Sequence, residues 1–301
     1  MKHLTPRLAI ATVAILATTA LGGLSASAAQ SSSTDNGAKS GIVHSGKGND
    51  DTVTVYLTRH GQTLLNTLER VQGWSDAPLV VGTNPDGSVL DARVLPVTVG
   101  KNLKAREGAF NTAFSADMKR HFQTATLILQ GADQKKLTVT QDDRLRELNF
   151  GRYEGSENKE MWTDIVEAMG YTVDHAAAPT APADAAGQNG GWQTMQGIAA
   201  SAHGIGALMA TMKQLAEEPA ESGISLPAED CADVSARMLA ALDDVVTATK
   251  KGHRTSALVV SSGLSITCAI DALGTPVNKG ISNVAVSKLE YRNGTWTVKS
   301  V

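Results

Sequence analysis

The sequence predicts an α/β fold, a three-layer sandwich with helices on both faces of a mostly parallel central sheet. Three observations predict it. Short apolar or β-branched runs recur at residues 52–56, 110–115, 137–141 and 256–261, and each reads as a strand. Between them stand helical patterns. Trp162, Ile165, Val166 and Met169 fall at i, i+3, i+4 and i+7, and Ile205, Leu208, Met209, Met212 and Leu215 repeat that spacing. The longest pattern, 228–251, aligns Val234, Met238, Leu242 and Val245 on one face. Strands alternating with helices imply a parallel-rich sheet covered on both sides. At 301 residues and 42% hydrophobic content the chain can bury a sizeable core. Aromatics are only 4%, so that core is mainly aliphatic.

The first residues read differently. Lys2, His3 and Arg7 precede an apolar run over 8–24, and Ala26-Ser27-Ala28 follows as a small-x-small pattern. This predicts a secretory signal peptide over 1–28, cleaved after Ala28. A membrane anchor is the alternative, opposed by the threonines and two glycines in a run short for a span. Residues 29–51 are rich in Ser, Gly, Asn and Asp and read as a flexible linker, so the mature fold begins near Thr52. The net charge of −3 becomes −5 once Lys2 and Arg7 leave with the leader. That balance argues against nucleic acid or an anionic membrane surface as partner. With the leader removed, no stable membrane anchor is left. Cys231 and Cys268 lack metal-type spacing; a single disulfide and two separate buried thiols both fit.

From Thr52 the strand 52–56 leads into Leu57-Thr58-Arg59-His60-Gly61-Gln62-Thr63. The carboxyl ends of strands are where open α/β sheets bind ligands. Arginine offers a charged planar fork for phosphate oxygens, histidine a nucleophile or proton carrier, and glycine close backbone approach. A short helix follows over 63–69, then a polar loop over 70–79 and a turn at Asn84-Pro85-Asp86-Gly87. Residues 91–104 read as a helix whose middle is weakened by Pro96 and Val97-Thr98-Val99. After the 110–115 strand, Ser115 or Asp117 is placed to cap a helix running to Leu129. Residues 142–154 read as loop, and 174–191, rich in Ala, Pro and Gly, as a loop or flap. The buried strand 256–261 feeds a helix over 263–273. A closing hairpin pairs 283–291 with 295–301 around Asn293-Gly294.

Four segments carry the chemistry. The first is Arg59-His60-Gly61-Gln62-Thr63 with Asn66, Arg70 and Gln72-Gly73. The second is Asp117-Met118-Lys119-Arg120 with Gln123-Thr124-Ala125. The third runs from Arg144 to Gly151 through Glu147, with Glu154-Gly155. The fourth is Val259-Val260-Ser261-Ser262-Gly263. In this order they resemble the histidine phosphatase superfamily, in its phosphoglycerate-mutase-like branch. The resemblance covers 52 to about 273 and implies a catalytic domain over 52–301, with a helical cap-like insert at about 156–227 that carries no signature.

The resemblance implies that His60 is the nucleophile and forms a phosphohistidine on a small phosphomonoester. It makes Glu147 the proton donor and acceptor. Arg59 and Arg120 clamp the phosphoryl oxygens, with Asn66, Ser262 and Gly61 as further phosphate contacts and Arg70 and Trp74 as possible substrate contacts. No metal or other cofactor is implied, since two guanidiniums neutralise the charge. One departure stands out: the family pattern has a histidine at the position of Ser262. Exchanging a charge-assisted hydrogen bond for a neutral one costs about 1–2 kcal/mol, roughly tenfold to thirtyfold in rate. Export favours hydrolysis over a mutase reaction. The alternative function is an impaired relative that binds phosphorylated ligands or a surface partner. His121, His175, His203 and His253 match no motif and are expected at the surface. Trp162 fits either the core or the pocket, and Cys268 the core.

Overall fold

The computed structural model describes residues 52–171, 173, 204–251, 255–277 and 279–301. The leader, the linker, the 174–191 segment, His175, His203 and His253 lie outside the described residues. The main sheet comprises β1 (Val53–Arg59), β4 (Thr112–Ser115), β5 (Val139–Gln141), β6 (Ser256–Ser261), β7 (Val286–Arg292) and β8 (Thr295–Ser300). Its order is β5-β4-β6-β1-β7-β8. The first four are mutually parallel, and β7 and β8 extend the sheet antiparallel. A separate small hairpin pairs β2 (Val81–Thr83) with β3 (Val89–Asp91).

The period of two along the central strands builds the layers. Tyr56, Leu258 and Val260 point to one face, where they meet Leu103 of α2 (Val94–Glu107) and Ala125, Ile128 and Leu129 of α3 (Lys119–Gly131). Val55, Leu57, Ala257 and Val259 point to the other. There they share one large core with α4 (Asn158–Ala168), α5 (Gly204–Ala216), α6 (Cys231–Lys250) and α7 (Gly263–Ala272). Trp162 is buried in that core, which decides its role as packing. The predicted sandwich is therefore present, and the apolar faces of α4 and α5 belong to its principal core.

Several element expectations are sharpened. β1 does not stop at Tyr56 but continues to Arg59, because β6 and β7 pair with it from both sides. The Asn84-Pro85-Asp86-Gly87 turn closes the β2–β3 hairpin, whose three-residue strands are too short to show a hydrophobic pattern. Helix α2 starts at Val94, which puts Pro96 in the first turn where its missing N–H is no loss. Helices α2 and α3 meet backbone to backbone: a Cβ on Gly100 would collide with the Ile128 carbonyl, and one on Gly131 with that of Val97. The cap of α3 is a correction. Ser115 donates to the Ala116 carbonyl and Asp117 pairs with Arg146, so neither caps. The amide of Lys119 donates instead to Asp76 from the distant 70–79 loop. A short helix α1 (Leu64–Thr67) is closed by a Thr63–Asn66 capping box. In the terminal hairpin, Asn293 (φ 50°) and Gly294 (φ 82°) both take left-handed conformations, as a type I′ turn requires.

The question left open by the two cysteines is answered: Cys231 and Cys268 form a disulfide, with Cα atoms 5.1 Å apart, tying the start of α6 to the middle of α7. The bridge closes a loop of intermediate length. Its removal in Cys231→Ser/Cys268→Ser is expected to lower unfolding stability by about 2–4 kcal/mol, read from urea melts against the oxidised parent, with an unchanged far-UV circular dichroism spectrum.

Candidate active site

The site forms where β1 and β6 end side by side. Arg59 is in register with Ser261, so the chain leaves β1 at His60 and β6 at Ser262. The His60 amide donates to the Ser261 carbonyl at 2.9 Å, and Asn283 Nδ2 donates to the His60 carbonyl at 3.0 Å. Only 3% of His60 is exposed. Its Nδ1 lies 2.8 Å from the Gly61 carbonyl oxygen. A carbonyl only accepts, so Nδ1 bears the proton and Nε2 keeps the lone pair. Burial first, then Arg120 and Arg59, push the His60 pKa well below its ordinary value. The ring is thus neutral, and its Nε2 has no partner among the described residues. Gly61 serves that orientation, since its carbonyl holds the ring and its amide donates to Thr124 Oγ1 at 2.9 Å.

Two guanidiniums flank the ring. Arg120 is fully buried. Its Nη1 donates to the Ser75 carbonyl at 3.0 Å and to Asp76 Oδ1 at 3.1 Å, and its Nη2 to the Gly73 carbonyl at 2.6 Å. Its Nε has no protein partner. Arg59 donates through Nη1 to the Ile281 carbonyl, packs against Gly263 and also leaves Nε unpartnered. In each fork the Nε edge keeps donors to spare, the edge that grips an oxyanion bidentately. Burial lowers the pKa of both, and Glu147 works against that shift in each. Gln72 Nε2 is a further buried donor without a partner, its Oε1 already accepting from Thr63.

Glu147 is not the ion-pair partner its neighbours suggest. Arg144 pairs with Asp142 and Asp244, Arg146 with Asp117, and Arg152 with Glu218. Its carboxylate instead caps α7. Oε1 accepts from the amides of Leu148 (3.0 Å) and Ser265 (2.8 Å) and from Ser265 Oγ (2.9 Å), while Oε2 accepts only from the Leu264 amide (3.1 Å). The helix N-terminus favours a negative group there, and Oε2 is the oxygen left able to handle a proton.

The remaining expected contacts divide. Asn66 Oδ1 is committed to the Thr63 amide, which leaves its NH₂ group to donate. Trp74 is 41% exposed, donates from Nε1 to the Glu147 carbonyl at 3.1 Å and carries the Arg146 guanidinium 4.8 Å from its ring centroid, so it stands at the rim. Arg70 is part-exposed and pairs with Glu157 at 3.5 Å, which makes it a surface tie. The largest correction is His121. Expected at the surface, it is fully buried, its ring perpendicular to that of His60 with centroids 5.2 Å apart and its Nε2 2.6 Å from Ser262 Oγ. It lies directly after Arg120 at the start of α3, so the turn that aims Arg120 inward carries it along.

The profile of the histidine phosphatase superfamily (branch 1) matches residues 55–190 and 188–301. The chain belongs to this superfamily. A crystal structure of a phosphoglycerate mutase from Bacillus anthracis strain Sterne is 32% identical, with a TM-score of 0.63 over 84% of this chain and 94% of that one. A probable phosphoglycerate mutase of Yersinia pestis strain Pestoides F is 39% identical over 97 residues, 32% of this chain. That match spans 39% of the length of the curated relative. A mycobacterial glucosyl-3-phosphoglycerate phosphatase shares the fold at 20% identity, with a TM-score of 0.53 over 83% of this chain and 98% of that one.

The four motif segments carry His60, Arg59, Arg120 and Glu147 but not all of the groups that hold them. Glu154 accepts from the amides of Gly73, Trp74, Ser75 and Phe150, pinning the 73–75 loop to the Glu147 segment. Gly73 sits so tightly there that a Cβ would collide with the Leu148 carbonyl and Glu154. Arg237 of α6 donates to the carbonyls of Arg144, Arg146 and Glu147 and pairs with Glu229. Arg237 is the only charged residue between Asp233 and Asp243, and that was the available signal for it. Val284, with φ 60°, donates its amide to the Arg59 carbonyl at 3.1 Å. A β-branched residue there is strained, and no motif announced it.

The two buried imidazoles make stability pH-dependent. His60 and His121 both have pKa values pushed well below 6.5, chiefly by burial. The unfolded chain therefore binds protons below pH 6.5 that the folded chain refuses, and stability falls as pH drops. Each imidazole contributes about 1.4 kcal/mol per pH unit at most. Urea unfolding is expected to lose up to about 4 kcal/mol between pH 6.5 and 5, before carboxylates titrate. A flat profile across that window would show that the folded protein protonates these rings.

Proposed function

We propose that this protein is an exported phosphatase that hydrolyses small phosphomonoesters through a phosphohistidine on His60. The observation that carries this reading is a neutral His60, with no partner at Nε2 among the described residues, near two buried guanidiniums whose Nε atoms are unpartnered. A phosphoryl group has the shape and charge those donors fit.

In the first step His60 Nε2 attacks phosphorus and the P–O ester bond breaks. Glu147, protonated at Oε2, gives its proton to the leaving oxygen. Water then attacks the phosphohistidine, Glu147 takes a proton from it, the P–N bond breaks and inorganic phosphate leaves. Arg59 and Arg120 hold the equatorial oxygens throughout, stabilising charge by position rather than by covalent chemistry. The Gly61 carbonyl keeps the His60 ring in the reactive tautomer. Asn66 and Ser262 add neutral donors, and Trp74 borders the route by which the leaving group enters.

Export is supported by the leader-like first 28 residues and by the Cys231–Cys268 disulfide, a bond that persists in oxidising compartments. Hydrolysis suits an exported protein, since a mutase needs a pool of phosphorylated metabolite. A mutase-type transfer is the second reading, favoured by the likeness to the Bacillus anthracis phosphoglycerate mutase.

The test uses residues 29–301 and a panel of phosphomonoesters that includes 3-phosphoglycerate. Phosphate release is expected from the parent, with His60→Ala at background and Arg120→Ala lower by about 100-fold or more, in line with loss of a major transition-state donor. Equal release by parent and His60→Ala contradicts the reading. Isomerised phosphoglycerate in place of free phosphate selects the mutase.

A further inference from the structure

The reaction above uses Ser262 only as a neutral donor and gives His121, which lies against it, no part. Ser262 occupies the N-cap of α7 yet makes no cap hydrogen bond, because Glu147 has taken the first-turn amides. Serine is normally favoured at that position for such a bond. Its hydroxyl turns instead to His121 Nε2 at 2.6 Å. His121 is fully buried, stands edge-on to the nucleophile's ring at 5.2 Å, and has an Nδ1 without a partner. Burying a half-used imidazole beside two guanidiniums is costly unless the site uses it.

We propose that His121 and Ser262 act as one phosphate-binding couple, in which His121 takes up a proton as the anion enters and Ser262 passes that charge on as a hydrogen bond. Nε2–H donates to Ser262 Oγ, and the Ser262 hydroxyl donates its own hydrogen to a phosphoryl oxygen. The proton comes from solvent and returns to it when phosphate leaves. Ser262 touches the substrate; His121 is a positioning residue that acts through it. The couple supplies the charge-assisted donor that a serine alone lacks. The inference rests on the phosphomonoester reading above.

The charges around the couple set the direction of the switch. They are Arg120 on the same helix, Arg59 and His60 at the end of β1, and Glu147 at the first turn of α7. Without an anion, burial, Arg120 and His60 hold His121 neutral. A dianion among these groups reverses the local field and favours the imidazolium. His60 cannot take this proton and still react, because its Nδ1 already carries one and its Nε2 must keep the lone pair.

Calorimetric titration with tungstate, a tetrahedral dianion that holds no proton at pH 7.5, tests this directly. Run in two buffers of different ionisation heat, it counts protons taken up on binding. The full-length protein is expected to take up about one proton per anion. In His121→Gln, which keeps a side-chain N–H but cannot be protonated, uptake vanishes and affinity falls by about tenfold or more. Undiminished uptake in that variant overturns the proposal, since the proton then goes elsewhere. Absence of tungstate binding by the parent overturns the phosphate reading and this inference with it. A second arm compares kcat/KM for His121→Ala, Ser262→Ala and the double variant, each checked for an intact thermal melt. Each single change is expected to cost about tenfold or more, and the double no more than the worse single, as for groups that act as a unit. Losses that multiply overturn the couple.

Discussion

The structure depends on holding two guanidiniums close together in a desolvated site. Each has its pKa lowered by burial, and Arg120 adds to the shift on Arg59. Buried like charges are strongly unfavourable without compensation. The fold provides that compensation asymmetrically. Asp76 and the Gly73 and Ser75 carbonyls hold the Nη atoms of Arg120, the Ile281 carbonyl holds Nη1 of Arg59, and the field of Glu147 favours both charges. The Nε atom of each is left without a partner among the described residues. Burial, with the two guanidiniums adding to it, pushes the His60 pKa well below its ordinary value; the proposed function places a phosphoryl group beside that ring.

The surrounding contacts lead back to that arrangement. The parallel β1–β6 pair delivers Arg59, His60 and Ser262 to one edge of the sheet. Helix α3 brings Arg120 and His121 together, and its first amide is capped by Asp76, the carboxylate that also holds Arg120. Glu154 and Arg237 lock the loops that carry Gly73 and Glu147. Helix α7 then lends its N-terminus to Glu147 rather than to Ser262. That exchange frees the Ser262 hydroxyl and explains how an imidazole from α3 comes to rest against it. The disulfide anchors the same helix to α6, where Arg237 resides.

Much of this was legible in the sequence because the groups that face a phosphoryl oxygen must be of particular types at particular spacings. His60, Arg59, Arg120 and Glu147 were named from four short segments, and the sandwich from the alternation of periods. What stayed hidden is set by tertiary contact. The three-residue strands β2 and β3 are too short to carry a pattern. The cap of α3 comes from Asp76, over forty positions upstream by number, so the local candidates Ser115 and Asp117 were misread. His121 looked like one more polar residue on a helix surface. Its burial follows from α3 beginning at Lys119, which turns residues 120 and 121 inward together. The substitution at Ser262 read as a loss, and only the packing of a neighbouring element shows what stands beside it.

The central claim is that His60 Nε2 forms a covalent bond to phosphorus. Phosphohistidine is labile to acid, so the direct measurement is an alkaline quench within the first turnover of a phosphomonoester labelled in its phosphoryl group, followed by peptide mapping. The account predicts label on the peptide containing His60, appearing before free phosphate and absent from His60→Ala. Free phosphate formed at full rate with no label on that peptide at any time would contradict it.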